Sequence, residues 1–237
     1  MAPQLIIFSG AGLSAESGLP TFRGDNGLWE GIPLDVVCNI DSWQRNFEAV
    51  HTFYDARRRA VGEAKPNAGH QAIAAWQMRW PGRVHILTQN IDNLLEKAGC
   101  TDVIHLHGEA RLMHCVACDH EWEIPAGVYD QSGCPVCGKK KTVKPGVVFF
   151  GQAAPHYQIL FEISRELRRQ DTVIIVGTSG TVLPADRLFG EGPSHSILVN
   201  FEPGRGMNES SFSERCYGPA TKILPELEKI LVGRMEA

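Results

Sequence analysis

No stretch of the 237-residue chain approaches the run of about eighteen apolar residues that a membrane-spanning helix requires. A membrane protein is therefore not expected. Basic charge is also in short supply, because 23 Lys and Arg stand against 27 Asp and Glu, for a net charge of -4. That balance supplies no general positive field for nucleic acid, and the lysines at 139–141 read as a solvated loop. No charged, apolar leader precedes the first apolar run, and the seven cysteines are odd in number, so a reducing, cytoplasmic setting is expected. Internal repeats and low-complexity segments are absent as well. The length suits one large domain or a core domain with a small insertion.

Four of the cysteines are placed with purpose. Cys115 and Cys118 form one CxxC knuckle and Cys134 and Cys137 a second, with fifteen residues between them. That spacing predicts one tetrahedral zinc in a closed shell of four thiolates, which leaves no open position for chemistry. The zinc is expected to be structural, holding a loop-rich module at 111–144 that has too few apolar residues for a core of its own. His114 and His120 flank the first knuckle as alternative ligands. Cys38, Cys100 and Cys216 have no partner at any motif spacing.

Short apolar runs at 5–8, 84–88, 103–106, 172–176 and 196–200 alternate with helical stretches at 47–62, 68–80, 93–98, 156–169 and 220–231. This alternation predicts an α/β fold, a parallel sheet with helices on both faces. Ligands in such sheets bind beyond the carboxyl ends of the strands. After the first strand stand Gly10, Ala11, Gly12, Leu13, Ser14 and Ala15, a GxGxxA fingerprint in the strand-to-helix context suited to a pyrophosphate. A plain tight turn gives the same letters. The acidic residue expected about twenty residues later for a dehydrogenase ribose is missing. Other strand ends carry Gln89, Asn90, Ile91 and Asp92, then Gly177, Thr178 and Ser179, then Asn200. Asp92 and Thr178 are also helix-capping types, but three polar clusters at three strand ends favour a ligand.

The motifs GAGLSAESGLPTFRG, QNID, HGE, the paired knuckles, VVFFG and GTSG, in this order, resemble the sirtuin family over almost the whole chain. The resemblance implies a Rossmann-like NAD-binding domain, 1–110 and 145–237, and a small zinc-binding module, 111–144, with the helical segment at about 30–65 belonging to the small domain. It implies NAD as co-substrate, held by Gly10, Ala11, Gly12, Ala15, Glu16, Phe22, Arg23, Trp29, Gln89, Asn90, Ile91, Asp92, Gly177, Thr178, Ser179, Asn200, Phe201, Glu202 and Ala220. Asp92 would lie near the nicotinamide amide and Asn200 at the adenosine ribose. His107 is implied as the base. A neutral imidazole, with an ordinary pKa of about 6.5, accepts a proton from a ribose hydroxyl near neutral pH. The implied partners are acylated lysine side chains of proteins. Their acyl oxygen attacks the ribose carbon, nicotinamide leaves, and the products are free lysine and O-acyl-ADP-ribose. His105, two residues earlier, is expected to be structural.

Tyr54 and Arg57, three apart on a helix, share a side and together suit a carboxylate. The YxxR pattern and TFRG resemble the sirtuin subgroup acting on succinyl-, malonyl- and glutaryl-lysine. Ala56 and Ala60 leave room for a longer chain. Alternatively, Tyr54 packs in the core and Arg57 to Arg59 form a solvated run. Val148, Phe149, Phe150 and Gly151 resemble the segment that pairs with substrate peptide, with Gly146 and Gln152 departing from the usual pattern. Two other readings stand beside the deacylase: an NAD-dependent protein ADP-ribosyltransferase, and a zinc-ribbon binding module with a nucleotide-sensing domain.

Overall fold

The computed structural model describes residues 2–21, 28–124, 127–190, 192, 194–204 and 206–236. Its strands are β1 Leu5–Ser9, β2 Leu28–Trp29, β3 Ile32–Pro33, β4 Val84–Thr88, β5 Ile104–His105, β6 Gly108–Cys115, β7 Glu121–Glu123, β8 Val143–Val147, β9 Thr172–Val176, β10 His195–Asn200 and β11 Glu214–Tyr217. Its helices are α1 Gly12–Ala15, α2 Leu34–Val37, α3 Phe47–Glu63, α4 Ala68–Arg79, α5 Leu94–Lys97, α6 Tyr157–Glu166, α7 Ala220–Glu226 and α8 Glu228–Met235. Phe22 and Arg23 lie outside the described residues.

Six strands form a parallel sheet in the order β11-β10-β9-β1-β4-β5. β1 is buried at every residue, as expected for a strand covered on both faces. Alternation along the strands divides the core in two. Leu5, Ile7, Ile174, Val176, Ile197 and Val199 pack under α4, α7 and α8. Ile6, Phe8, Val173, Ile175 and Leu198 pack with Leu160 of α6 and with Phe189 and Phe212. The chain leaves β1 toward β4 and returns on its other side at β9. The topological switch point therefore lies at the carboxyl ends of β1 and β9, where such sheets bind ligands.

A third cluster lies apart from the sheet. Val37, Trp43, Phe47, Val50, Phe53 and Tyr54 of the α2–α3 region pack against Met113, Tyr129, Val143 and Val147 and against Cys115 and Cys134. Here β6 is flanked by β7 and β8 in an antiparallel sheet.

The structure differs from the sequence pattern at several places. Only Ile104 and His105 of the run 103–106 pair in the sheet. The stretch 220–231 is two helices rather than one, joined at Leu227, and Pro225 cannot donate a helical hydrogen bond. α6 stops at Glu166 because Leu167 turns extended. β11 was not foreseen, for its sequence ERCY alternates between half-buried and exposed at the sheet edge.

Candidate active site

The switch point is built by backbone meeting backbone. Gly10 N–H donates to the Val176 carbonyl and Gly12 N–H to that of Gly177. A Cβ on Gly10 would lie 2.7 Å from the Gly177 oxygen, one on Gly12 2.6 Å from the Gly177 Cα, and one on Gly177 2.4 Å from the Leu13 nitrogen. Gly177 also has φ +66°, which costs an L-residue about 1–2 kcal/mol before any clash. Gly177→Ala is expected to lower the thermal midpoint by several degrees and weaken NAD binding at least tenfold. Thermal melts with and without NAD check this, and a variant with wild-type melting and affinity would contradict it.

Beyond these turns opens a cleft of about 1370 Å³, larger than the range of about 300–1,000 Å³ typical of small-molecule sites. Its wall includes Gly10, Ala11, Gly12, Trp29, Gln89, Asn90, Ile91, Asp92, His107, Gly177, Thr178, Ser179, Asn200, Phe201 and Glu202. Val148, Phe149, Phe150, Gly151 and Arg57 also line it. Three expected NAD residues stand outside the wall. Ala15 is exposed, Ala220 is core, and the Glu16 carboxylate accepts from the Thr221 N–H and hydroxyl, holding the start of α7.

The strand ends are stitched together by their side chains. Gln89 Nε2 donates to Thr178 Oγ1, and Asn200 Nδ2 to the Thr178 carbonyl. Asp92 accepts the Leu94 N–H, capping the start of α5, and also the Ser14 hydroxyl at 2.9 Å. It thus serves as cap and cleft wall together, and burial raises its pKa. Ser14 was not singled out in the sequence. It receives Asn90 Nδ2 at 3.2 Å and stands 3.4 Å from His70 Nε2. His70 Nδ1 accepts the Asn67 N–H, so Nε2 carries its proton toward Ser14. Burial lowers the His70 pKa to about 4, which keeps this end of the chain neutral.

His107 sits in the cleft wall with both ring nitrogens engaged. Nδ1 is 3.1 Å from the Gln89 carbonyl, which only accepts, so Nδ1 carries the proton and Nε2 is left as an acceptor. Burial pulls its pKa below the ordinary value, partly opposed by the Gln89 carbonyl. The Tyr157 hydroxyl lies 2.8 Å from Nε2. His105 faces elsewhere, between the Asn90 carbonyl and Glu96 Oε1 at 2.8 Å. Burial pulls its pKa down, but Glu96 and Glu109 more than offset this and hold it above its ordinary value.

Tyr54 and Arg57 do not reach the cleft together. Tyr54 is fully buried, its ring stacked on Phe149 and its hydroxyl facing the Cys38 thiol. Cys38 lines the cleft, so the phenol stands one layer behind the wall. Arg57 lines the cleft directly, its guanidinium carbon 3.1 Å from the Phe53 ring centroid. Its terminal nitrogens donate to the Phe53 carbonyl and to Glu30, while Nε is buried without a partner among the described residues. Ala56 and Ala60 line the same side.

The four cysteines converge. Cys115 and Cys137 sulfurs are 3.7 Å apart and those of Cys118 and Cys134 3.6 Å. Thiolates at about 2.3 Å from a tetrahedral zinc are about 3.8 Å from one another, so the donor set fits the metal. Neither flanking histidine joins the cluster: His114 pairs with Glu121, and His120 stacks on Trp122. Gly146 on β8 makes room for Leu112, whose Cβ would lie 2.5 Å from an added Cβ.

The sequence model of the Sir2 family matches residues 10–184. An NAD-dependent protein deacylase of Helicobacter hepaticus is 39% identical over 249 residues, covering 97% of each chain. One from Caulobacter vibrioides is 36% identical, covering 98% of each. The solved ADP-ribose complex of a mutant Sir2 homologue superposes with a TM-score of 0.86 at 30% identity, over 99% of this chain and 94% of that one. A Sir2 homologue–NAD complex gives 0.81 at 32% identity, over 99% and 91%. The chain belongs to the Sir2 family. Its Rossmann-like α/β fold and its four-cysteine cluster are those the sequence led us to expect.

Proposed function

We propose that the protein is an NAD-dependent protein-lysine deacylase of the reducing cytoplasm, with His107 as base and acidic acyl groups, succinyl and malonyl, among its substrates. The observation that carries the reading is the His107 imidazole in the cleft wall, kept neutral by burial and oriented by the Gln89 carbonyl so that Nε2 is the acceptor. In this reading the glycine turns, Gln89, Asn90, Asp92, Thr178, Ser179 and Asn200 hold NAD. The peptide lies along Val148 to Gly151, and the acyl chain runs toward Ala56, Arg57 and Ala60. The acyl oxygen displaces nicotinamide from the ribose carbon, and His107 then takes the proton of a ribose hydroxyl as it attacks the resulting imidate. Mixing protein, NAD and an acyl-lysine peptide should give loss of the acyl mass with release of one equivalent of nicotinamide. A peptide that gained the mass of ADP-ribose would replace this reading with a transferase.

Arg57 supports the acidic preference. A carboxylate entering beside Ala56 would meet a guanidinium already desolvated, with Glu30 as the anion to displace. Charge-assisted hydrogen bonds are worth about 1.5–3 kcal/mol, so Arg57→Met should cut succinyl-lysine removal by about ten- to a hundredfold. Acetyl-lysine removal should stay within about twofold. Tyr54→Phe should do less, since its hydroxyl lies behind the wall. Equal loss on both peptides would argue against the clamp.

The pH profile gives a separate check. Neutral His107 is the active form, present above its pKa and lost as pH falls through it. Burial lowers that pKa, so the acid limb of kcat/KM should fall below the ordinary histidine value of about 6.5. A limb above pH 7 would assign the base to another group.

A further inference from the structure

We propose that Tyr157 is a positioning residue that acts through His107: its hydroxyl occupies the one lone pair by which the imidazole works as a base, and a ribose hydroxyl must take its place. This rests on the deacylase reading above. With Nδ1 protonated against the Gln89 carbonyl, Nε2 has a single lone pair, and the Tyr157 O–H points to it at 2.8 Å. Burial raises the Tyr157 pKa, so the phenol keeps its proton and remains a donor at neutral pH. Both residues line the cleft. The other titratable groups nearby are committed elsewhere, Asp92 to Ser14 and Leu94, and His105 to Glu96.

The placement along the chain adds a link to substrate. Tyr157 is the first residue of α6, and the turn from Gln152 to His156 joins it to the segment Val148 to Gly151. His156 anchors that turn through Nδ1 to the His105 carbonyl. A peptide laid on Val148 to Gly151 therefore presses on the segment that carries Tyr157. In the base step the ribose O–H bond breaks, Nε2–H forms, the electron pair on oxygen goes into the bond to the imidate carbon, and the C=N π pair of the imidate moves onto its nitrogen. Tyr157 neither gains nor loses a proton.

The test is Tyr157→Phe in the zinc-loaded enzyme, which keeps the ring and removes the donor. Water then meets Nε2, but it leaves with the rest of the solvent when the cleft fills, whereas a tethered hydroxyl does not. Exchange of labelled free nicotinamide into NAD precedes the base step, so it should be unchanged. Deacylation should rise relative to exchange by about two- to tenfold, the range of one net hydrogen bond. A merely structural role would move both rates together. An unchanged or lowered ratio overturns the proposal. The nitrogen-15 spectrum of His107, identified by its loss in His107→Ala, reads the same contact without turnover, and Nε2 should shift in Tyr157→Phe. If the wild type showed no deacylation, the functional reading would fail while this spectrum still decided whether Tyr157 holds the base. An Nε2 signal unaffected by the substitution overturns it.

Discussion

His107→Ala is expected to lower deacylation by about a hundredfold to ten-thousandfold, the range that a positioned general base contributes, with little change in the thermal midpoint. The two effects separate because of where the imidazole stands. Its hydrogen bonds go to the Gln89 carbonyl and the Tyr157 hydroxyl, both at the edge of an open cleft where water can take its place. None of the three apolar clusters includes it. Nicotinamide exchange should survive, because in the proposed mechanism the base acts only after nicotinamide has left. Initial rates on one acyl-lysine peptide, beside exchange of labelled nicotinamide, check both halves. A variant that still deacylates within tenfold of wild type would remove His107 from the role, and one that lost exchange in equal measure would make it a binding residue.

How much of this site the sequence discloses depends on how local its cause is. β1 is legible because a strand buried on both faces is apolar almost throughout, as Leu5 to Phe8 are, while the buried Ser9 at its end donates its hydroxyl to Thr88. The knuckles are legible because two residues between cysteines already fix a turn: Cys115 accepts from Asp119 and Cys134 from Gly138 in matching loops. The polar strand ends are legible because a parallel sheet brings its carboxyl ends together. The contacts that tune the site are of another kind. Ser14 meets Asp92 across 78 residues, Arg57 meets Glu30 across 27, and His107 meets Tyr157 across 50. No spacing rule reaches that far. Periodicity put Tyr54 and Arg57 on one side of α3 but says nothing of depth. The phenol went inward because Trp29, Phe53 and Phe149 surround it with aromatic surface, while the guanidinium stayed at the wall beside Glu30. β11 escaped notice because an edge strand half open to water needs no apolar run.

Removing zinc should abolish activity although the metal touches no reacting atom. The cysteines anchor a sheet of three strands, β7-β6-β8, whose apolar residues pack on α2 and α3 rather than on the main sheet. Structural zinc contributes about 10–16 kcal/mol in zinc-finger peptides, comparable to or above the whole stability of a typical domain, about 5–15 kcal/mol. This module is too small to hold without it. The consequence reaches the cleft through the backbone. β6 begins at Gly108, directly after His107, and β8 ends at Val147, directly before Val148, whose N–H donates to the His107 carbonyl. Tyr54 and Phe149 lie in the same cluster as Cys115 and Cys134. The main sheet is insulated, since the two clusters on its faces contain none of the four cysteines. Chelation, or Cys134→Ser, should therefore free the amides of β6 to β8 and of α3 to exchange with deuterium while those of β1, β4 and β9 stay protected. Deacylation should disappear with the zinc content measured by atomic absorption. Zinc added back to the chelated wild type should restore both protection and rate, and magnesium should restore neither, because thiolates are poor ligands for it. A metal-free protein with full activity and a protected β6 would show that the four thiols are not what holds the module.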